Sequence, residues 1–70
     1  MVRAVPVIDV RRMPHAAAVT LLAWQRADTD LYESLRDGLD ARCASIVADA
    51  IARVRRGAVL EGEPSKPWSA

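Results

Sequence analysis

Residues 30–57 read DLYESLRDGLDARCASIVADAIARVRRG, and this stretch decides the fold. Its apolar residues recur at steps of three and four, the spacing of one face of an α-helix. They are Tyr32, Leu35, Leu39, Cys43, Ile46, Val47, Ala50, Ile51 and Val54. The pattern predicts one long amphipathic helix over residues 30–56, about 40 Å long at a rise of 1.5 Å per residue. A short chain cannot cover so long an apolar face by itself, so the pattern also predicts a binding partner.

Gly38 falls inside this predicted helix and leaves two interpretations open. Glycine costs about 1 kcal/mol relative to alanine in a helix interior. It marks either a close approach of two backbones or a turn after which Asp40 caps a shorter helix. The apolar pattern continues from Leu35 through Leu39 to Cys43, which favours a single helix bent at Gly38.

The predicted helix ends in a basic turn. Arg53, Arg55 and Arg56 lie where positive charge complements the helix dipole, and Gly57 follows as the expected C-terminal residue. The three arginines are also candidate contacts for phosphate groups.

A first helix is predicted over residues 14–27. Pro14 suits the first helical position, and Ala16–Trp24 is apolar on nearly all sides, which indicates burial on more than one side. Residues 28–30 (Asp-Thr-Asp) are cap-type residues and predict a tight corner, hence a helical hairpin. The alternative is one unbroken helix over residues 14–56.

The two ends of the chain have different patterns. Val2–Val10 is rich in valine and isoleucine and predicts an extended arm or a short strand, which Pro6 confines to a sheet edge. No second strand is evident, so a strand of a second subunit is the expected mate. Residues 58–70 lack periodicity and are predicted to form a flexible tail, disordered or docked, after a single small helical domain over residues 1–57. Trp68 in this tail is a candidate anchor, in cis or in trans.

Length and composition limit the chemistry available. A chain of 70 residues is one domain at most, and so small a core usually needs oligomerisation, metal or disulfides. One cysteine and one histidine cannot form an internal disulfide and fall short of a zinc ligand set, so we expect no metal and no cofactor. A second copy, giving a dimer, or a larger protein remains as the expected partner.

Charge and hydropathy weigh against nucleic acid and membrane as partners. The net charge is +1, which gives no general attraction to polyanions. Ala16–Trp24 has about half of the roughly 20 residues that a membrane span needs. Arg11 and Arg12 precede this apolar run as in a signal peptide, but no A-x-A cleavage site follows and Arg26 stands where small residues are expected. We therefore expect a cytoplasmic protein.

No catalytic signature stands out. Cys43 lies on the apolar face, where a structural role is expected, and His15 begins a helix without an evident nucleophile or carboxylate beside it. The aspartates near residues 28–40 fit helix capping and a solvated surface. We expect a protein that is not an enzyme.

The expected function is that of a small helical interaction protein, an accessory or assembly subunit that acts through its apolar helix face and its tail. The candidate partner-binding residues are Leu35, Leu39, Ile46, Ile51, Val54 and Trp68.

A DNA-binding regulator or antitoxin is the alternative. Over about the first fifty residues, the order strand, helix, helix resembles that of ribbon–helix–helix repressors. The resemblance implies a dimer whose paired strands enter the major groove, where the bases would face Arg3 with Val5, Val7 or Asp9. The chain departs from the pattern: Pro6 falls in the ribbon, the glycine-containing turn between the helices is missing, and the second helix is longer.

Overall fold

The computed structural model describes residues 4–62 and confirms a mainly α fold with a short N-terminal strand. The elements in chain order are β1 (Val7–Asp9), a 3-10 helix (Val10–Arg12), α1 (His15–Gln25), α2 (Thr29–Asp37), α3 (Ala41–Arg55) and β2 (Val59–Glu61).

The central element is α1, which packs against both α2 and α3. Its buried residues are Ala17, Ala18, Thr20, Leu21 and Ala23. The Thr20 hydroxyl donates to the Ala16 carbonyl oxygen at 2.7 Å, so the only buried polar residue within residues 4–62 has a partner. Burial on several sides is what the all-round apolar pattern of this helix predicts.

The core is small and rich in alanine. Of the nine buried hydrophobic residues in the described range, five are alanine, which contributes little apolar area. Leu21 of α1 packs with Val47, Ala50 and Ile51 of α3 at its centre. The modest core is the one expected from the composition.

The predicted long helix over residues 30–56 is wrong, because the chain breaks between Asp37 and Ala41. The Asp40 carboxylate accepts a hydrogen bond from the Cys43 backbone N–H at 2.7 Å and so caps α3. This cap satisfies a backbone donor that the first turn of α3 leaves unpaired. The break also lets α2 and α3 run in different directions, so that each packs on α1. One straight helix would have a single direction and could not do this. The turn at Gly38 with Asp40 as a cap is therefore the correct interpretation.

The predicted corner after the first helix is confirmed. The backbone N–H groups of Ala27 and Asp28 donate to the carbonyls of Trp24 and Ala23, both at 3.0 Å, which is the Schellman pattern of a helix end. Asp28 then caps α2 by accepting from the Leu31 N–H at 3.3 Å. The unbroken helix over residues 14–56 is excluded.

Ala27 occupies this corner with φ at 60°, in the left-handed region that favours glycine. Ala27→Gly should therefore raise the free energy of unfolding, by about 0.5–1 kcal/mol after the greater entropy of unfolded glycine is subtracted. Urea denaturation followed by circular dichroism measures it. Ala48→Gly inside α3 is the control and should lose about 1 kcal/mol. An equal loss at both positions would contradict a left-handed residue 27.

Two corrections concern the strands. β1 pairs in parallel with β2 of the same chain, with Val7 opposite Val59 and Ile8 opposite Leu60, so the mate expected from a second subunit is found within the chain. Residues 59–61 of the predicted tail are thus a strand. Ile8 and Leu60 are half-buried and pack against the core, so the pairing is stabilised by the helices behind it.

Gly62, the residue after β2, lies against an ion pair. The Arg11 Nε lies 3.0 Å from the Asp9 Oδ1, and hydrogen bonds from Arg11 hold the pKa of Asp9 below its ordinary value. A Cβ at Gly62 would lie 3.0–3.1 Å from these two side chains, and φ there is +86°. The backbone conformation therefore favours glycine, and a larger residue would also require the side chains of Arg11 and Asp9 to shift by a few tenths of an ångström. Residues 63–70, which carry the rest of the predicted tail, lie outside the described range.

Candidate functional site

Two open grooves lie on either side of α2. The first, here the apolar groove, runs between α1 and α2 and has a volume of about 570 Å³. Its apolar lining residues are Ala16, Val19, Leu22, Ala23, Leu31 and Leu35. The polar residues that line it are His15, Arg26 and Asp28.

The second groove, here the aromatic groove, has a volume of about 440 Å³ and involves all three helices. Its large or charged residues are Trp24 of α1, Tyr32 and Arg36 of α2, and Arg55 of α3. Its apolar floor consists of Leu39, Val47, Ile51 and three alanines, Ala44, Ala48 and Ala52.

Helical spacing explains both grooves. On α2, Leu31 and Leu35 are four residues apart and share one side, while Tyr32 and Arg36 share the adjacent side. α2 therefore presents one pair to each groove. On α3 the alanines recur every four residues, and this strip of short side chains leaves the aromatic groove open.

α2 contributes to both grooves without being covered. It is amphipathic, yet none of its residues is buried, and Leu31 remains 46% exposed. The helix packs on α1 with its apolar side only partly hidden. Leu31 adjoins the other apolar residues that line the groove, and a contiguous exposed apolar surface, unlike a single exposed leucine, is a feature of protein interaction sites.

The aromatic groove is positively charged. Within residues 4–62, neither Arg36 nor Arg55 has an ion pair or a side-chain hydrogen bond, and no acidic residue lines the groove. Arg53, two residues before Arg55, is paired with Asp49 at 3.0 Å instead. Two guanidinium groups thus border an apolar floor, and neither is paired with a carboxylate within residues 4–62.

The predicted partner-binding residues are distributed over separate surfaces. Leu39 and Ile51 line the aromatic groove, and Leu35 lines the apolar groove. Ile46 is half-buried against the core and Val54 is half-buried, and neither lines a groove. One continuous stripe is therefore not formed, because the break at residues 38–40 reorients the two halves of the pattern.

Trp68, the remaining predicted anchor, lies outside the described residues. Other residues that line the grooves were not predicted as binding residues: Trp24, Val19, Leu22 and Arg36. The signal for the α1 residues was the all-round apolar character of that helix, which shows that several sides are covered but not which side stays open.

The three arginines that are candidate phosphate contacts also lie in different surroundings. Arg53 is engaged by Asp49, Arg55 borders the aromatic groove, and Arg56 is the exposed residue after α3. They do not form one cluster of unpaired guanidinium groups.

Cys43 has the environment of a structural thiol. It is half-buried against the core, and burial together with the nearby Asp40 carboxylate raises the pKa of its thiol. The thiol is therefore protonated at neutral pH, which disfavours nucleophilic chemistry.

Metal ligands and membrane-spanning helices can be assessed over residues 4–62. Within that range, no group of three histidine, cysteine or acidic side chains is placed to hold a metal ion. In the same part of the chain, every helix is too short or too polar to cross a lipid bilayer.

Comparison with known proteins gives no relative from which to transfer a function. No family model, no curated protein and no solved structure matches the chain. Function is therefore inferred from the two grooves.

The ribbon–helix–helix alternative receives no support from the fold. It requires β1 to pair with the same strand of a second subunit, whereas β2 of the same chain occupies one edge of β1 in parallel. Asp9, one of the residues expected to face bases, is instead paired with Arg11. Arg3, another of them, lies outside the described residues.

Proposed function

We propose that this protein is a small protein–protein interaction subunit, an accessory or assembly factor that works by being bound. The apolar groove is its principal binding surface. The observation that carries the proposal is α2, an amphipathic helix with no buried residue, whose Leu31 is 46% exposed beside the groove. In this proposal the chain is cytoplasmic and needs neither catalytic residues nor a cofactor.

The shape of the apolar groove supports a helical occupant. A channel between two helices receives the apolar face of a third, whose anchors recur at steps of three and four. Leu31 and Leu35 on one wall and Val19 and Leu22 on the other provide the matching ridges. The occupant is a helix of a second copy or of a larger protein.

Leu31→Asp tests the proposal. The wild-type chain should associate, with itself or with a protein co-purified from its native organism, and the variant should bind at least about tenfold more weakly because it places a charge in an apolar interface. Light scattering measures the oligomer, and affinity purification with mass spectrometry identifies a foreign partner.

Ser34→Asp is the matched control, because Ser34 is exposed on α2 and lines neither groove. It introduces the same charge and should leave binding unchanged. Circular dichroism should show both variants folded. A wild-type chain that stays monomeric and retains no partner, or a partner held equally by Leu31→Asp, would refute the proposal.

A further inference from the structure

The aromatic groove combines residue types that dominate binding energy at protein interfaces. Tryptophan, tyrosine and arginine are the most enriched among interface hot spots. Trp24, Tyr32, Arg36 and Arg55 line this one groove. Trp24 and Tyr32 are half-buried against the core, so their rings are held by packing before any partner arrives.

The floor of the groove fits an apolar side chain. Val47 and Ile51 are 2% and 8% exposed and belong to the core, so the floor is supported from beneath. Ala44, Ala48 and Ala52 of α3 complete this floor with short side chains. An inserted side chain would contact aliphatic carbon below and aromatic rings beside it.

The border of the groove selects negative charge. Arg36 and Arg55 have no ionic partner within residues 4–62, and no carboxylate of that range lines the groove. Arginine pairs with carboxylates through two parallel hydrogen bonds and keeps its charge at any physiological pH. Acidic groups on an occupant would meet complementary charge, while basic groups would be repelled.

We propose that the aromatic groove binds an acidic segment of a partner protein. A large apolar side chain of that segment lies on the floor, and its aspartate or glutamate side chains pair with Arg36 and Arg55. The inference rests on the proposed function, that the chain works by being bound, but it assigns a second groove and the chemistry of its ligand. The groove is partly open to solvent and not an enclosed cavity, which suits a peptide better than a small molecule that needs to be enclosed.

A displayed library of randomised short peptides, selected against the full chain, tests this chemistry directly, since the selection requires no identified partner. The enriched peptides should combine a large apolar residue with more than one acidic residue. Their affinity can be followed by the fluorescence of Trp24 in a Trp68→Phe background, using tryptophan-free peptides. Replacing the acidic residues of a selected peptide by their amides should weaken binding by about tenfold or more. Added salt should weaken it as well.

The double substitution R36E/R55E is the decisive variant. It should lose about tenfold or more in affinity for the selected peptides. R12E/R42E is the matched control, because it makes the same change of charge at two exposed arginines that line neither groove. R36Q/R55Q removes the charge without reversing it and should give an intermediate loss of affinity. It takes the place of R36E/R55E as the test if that variant does not fold.

Several results would overturn the inference: no enriched peptide, enriched peptides without acidic residues, or equal binding by R36E/R55E. A wild-type dimer that R36E/R55E dissociates would identify the occupant as a second copy and overturn it too. The two proposals fail separately. If Leu31→Asp abolishes the binding of a partner and R36E/R55E leaves that binding intact, this inference alone is refuted. If acidic peptides bind but Leu31→Asp does not change association, the apolar-groove proposal is refuted.

Discussion

Leu21→Ala should remove about 2–5 kcal/mol from the free energy of unfolding, because it deletes the largest fully buried side chain within residues 4–62. Leu21 lies in the centre of the core, where its neighbours include Ala17 and Ala50. Alanine has no rotamer with which to fill the cavity. Since stability runs at roughly 0.05–0.15 kcal/mol per residue, a loss of this size is a large share of the total.

Urea denaturation of the Leu21→Ala variant, followed by circular dichroism, measures this loss. Leu31→Ala is the matched control: it deletes the same atoms from a side chain that is 46% exposed, and it should cost less than about 1 kcal/mol. Similar losses at both positions would mean that α1 does not lie at the centre of the fold.

Ala17→Leu should destabilise the protein by about 1–3 kcal/mol through overpacking. Ala17 is fully buried on α1 and packs in the same cluster as Val47, Ala50 and Ile51 of α3. An added isobutyl group has no space there unless the two helices separate. Thermal unfolding should show a lower midpoint and a broader transition than for the wild type.

Ala16→Leu provides the comparison for this substitution, because it adds the same atoms one residue earlier, at an exposed position. It should change the stability by no more than about 0.5 kcal/mol. If Ala17→Leu stabilised the protein instead, the α1–α3 interface would contain an unfilled cavity and the close packing inferred from the buried alanines would be wrong.

The position of α2 links the stability of the fold to its proposed function. A small, alanine-rich core is formed chiefly by α1 and α3, while α2 packs on α1 with all of its residues at least partly exposed. Substitutions on the outer surface of α2 should therefore affect binding more than folding. This separation makes Leu31→Asp and the Arg36 half of R36E/R55E informative about partners, and Arg55, at the C-terminal end of α3, is itself exposed.

The helical class, the corner after the first helix and the central place of α1 follow from local signals in the sequence. Ala16–Trp24 is apolar all round, so it has to be covered on several sides in any fold that buries it. Backbone hydrogen bonds of Ala27 and Asp28 end the first helix, and the Asp28 side chain begins the next one by capping it within three residues. Such interactions depend on neighbours in the chain and can be read from it.

The break at residues 38–40 is different, since both outcomes had local support. The steps from Leu35 to Leu39 to Cys43 satisfy a continuous helix, while Gly38 and Asp40 satisfy a turn and a cap. Local free energies of about 1 kcal/mol on each side do not decide between them. Packing of two separate helices on α1 decides in favour of the turn.

By itself, the sequence determined that this protein is helical, that its first helix is buried on several sides and that its core is small, because these properties depend on composition and on spacing over a few residues. The tertiary structure alone decided the pairing of β1 with β2, which joins three-residue strands across three helices, and the separation of the apolar face into two grooves. Both depend on the directions in which α2 and α3 pack on α1, and packing direction is set by contacts between residues far apart in the chain.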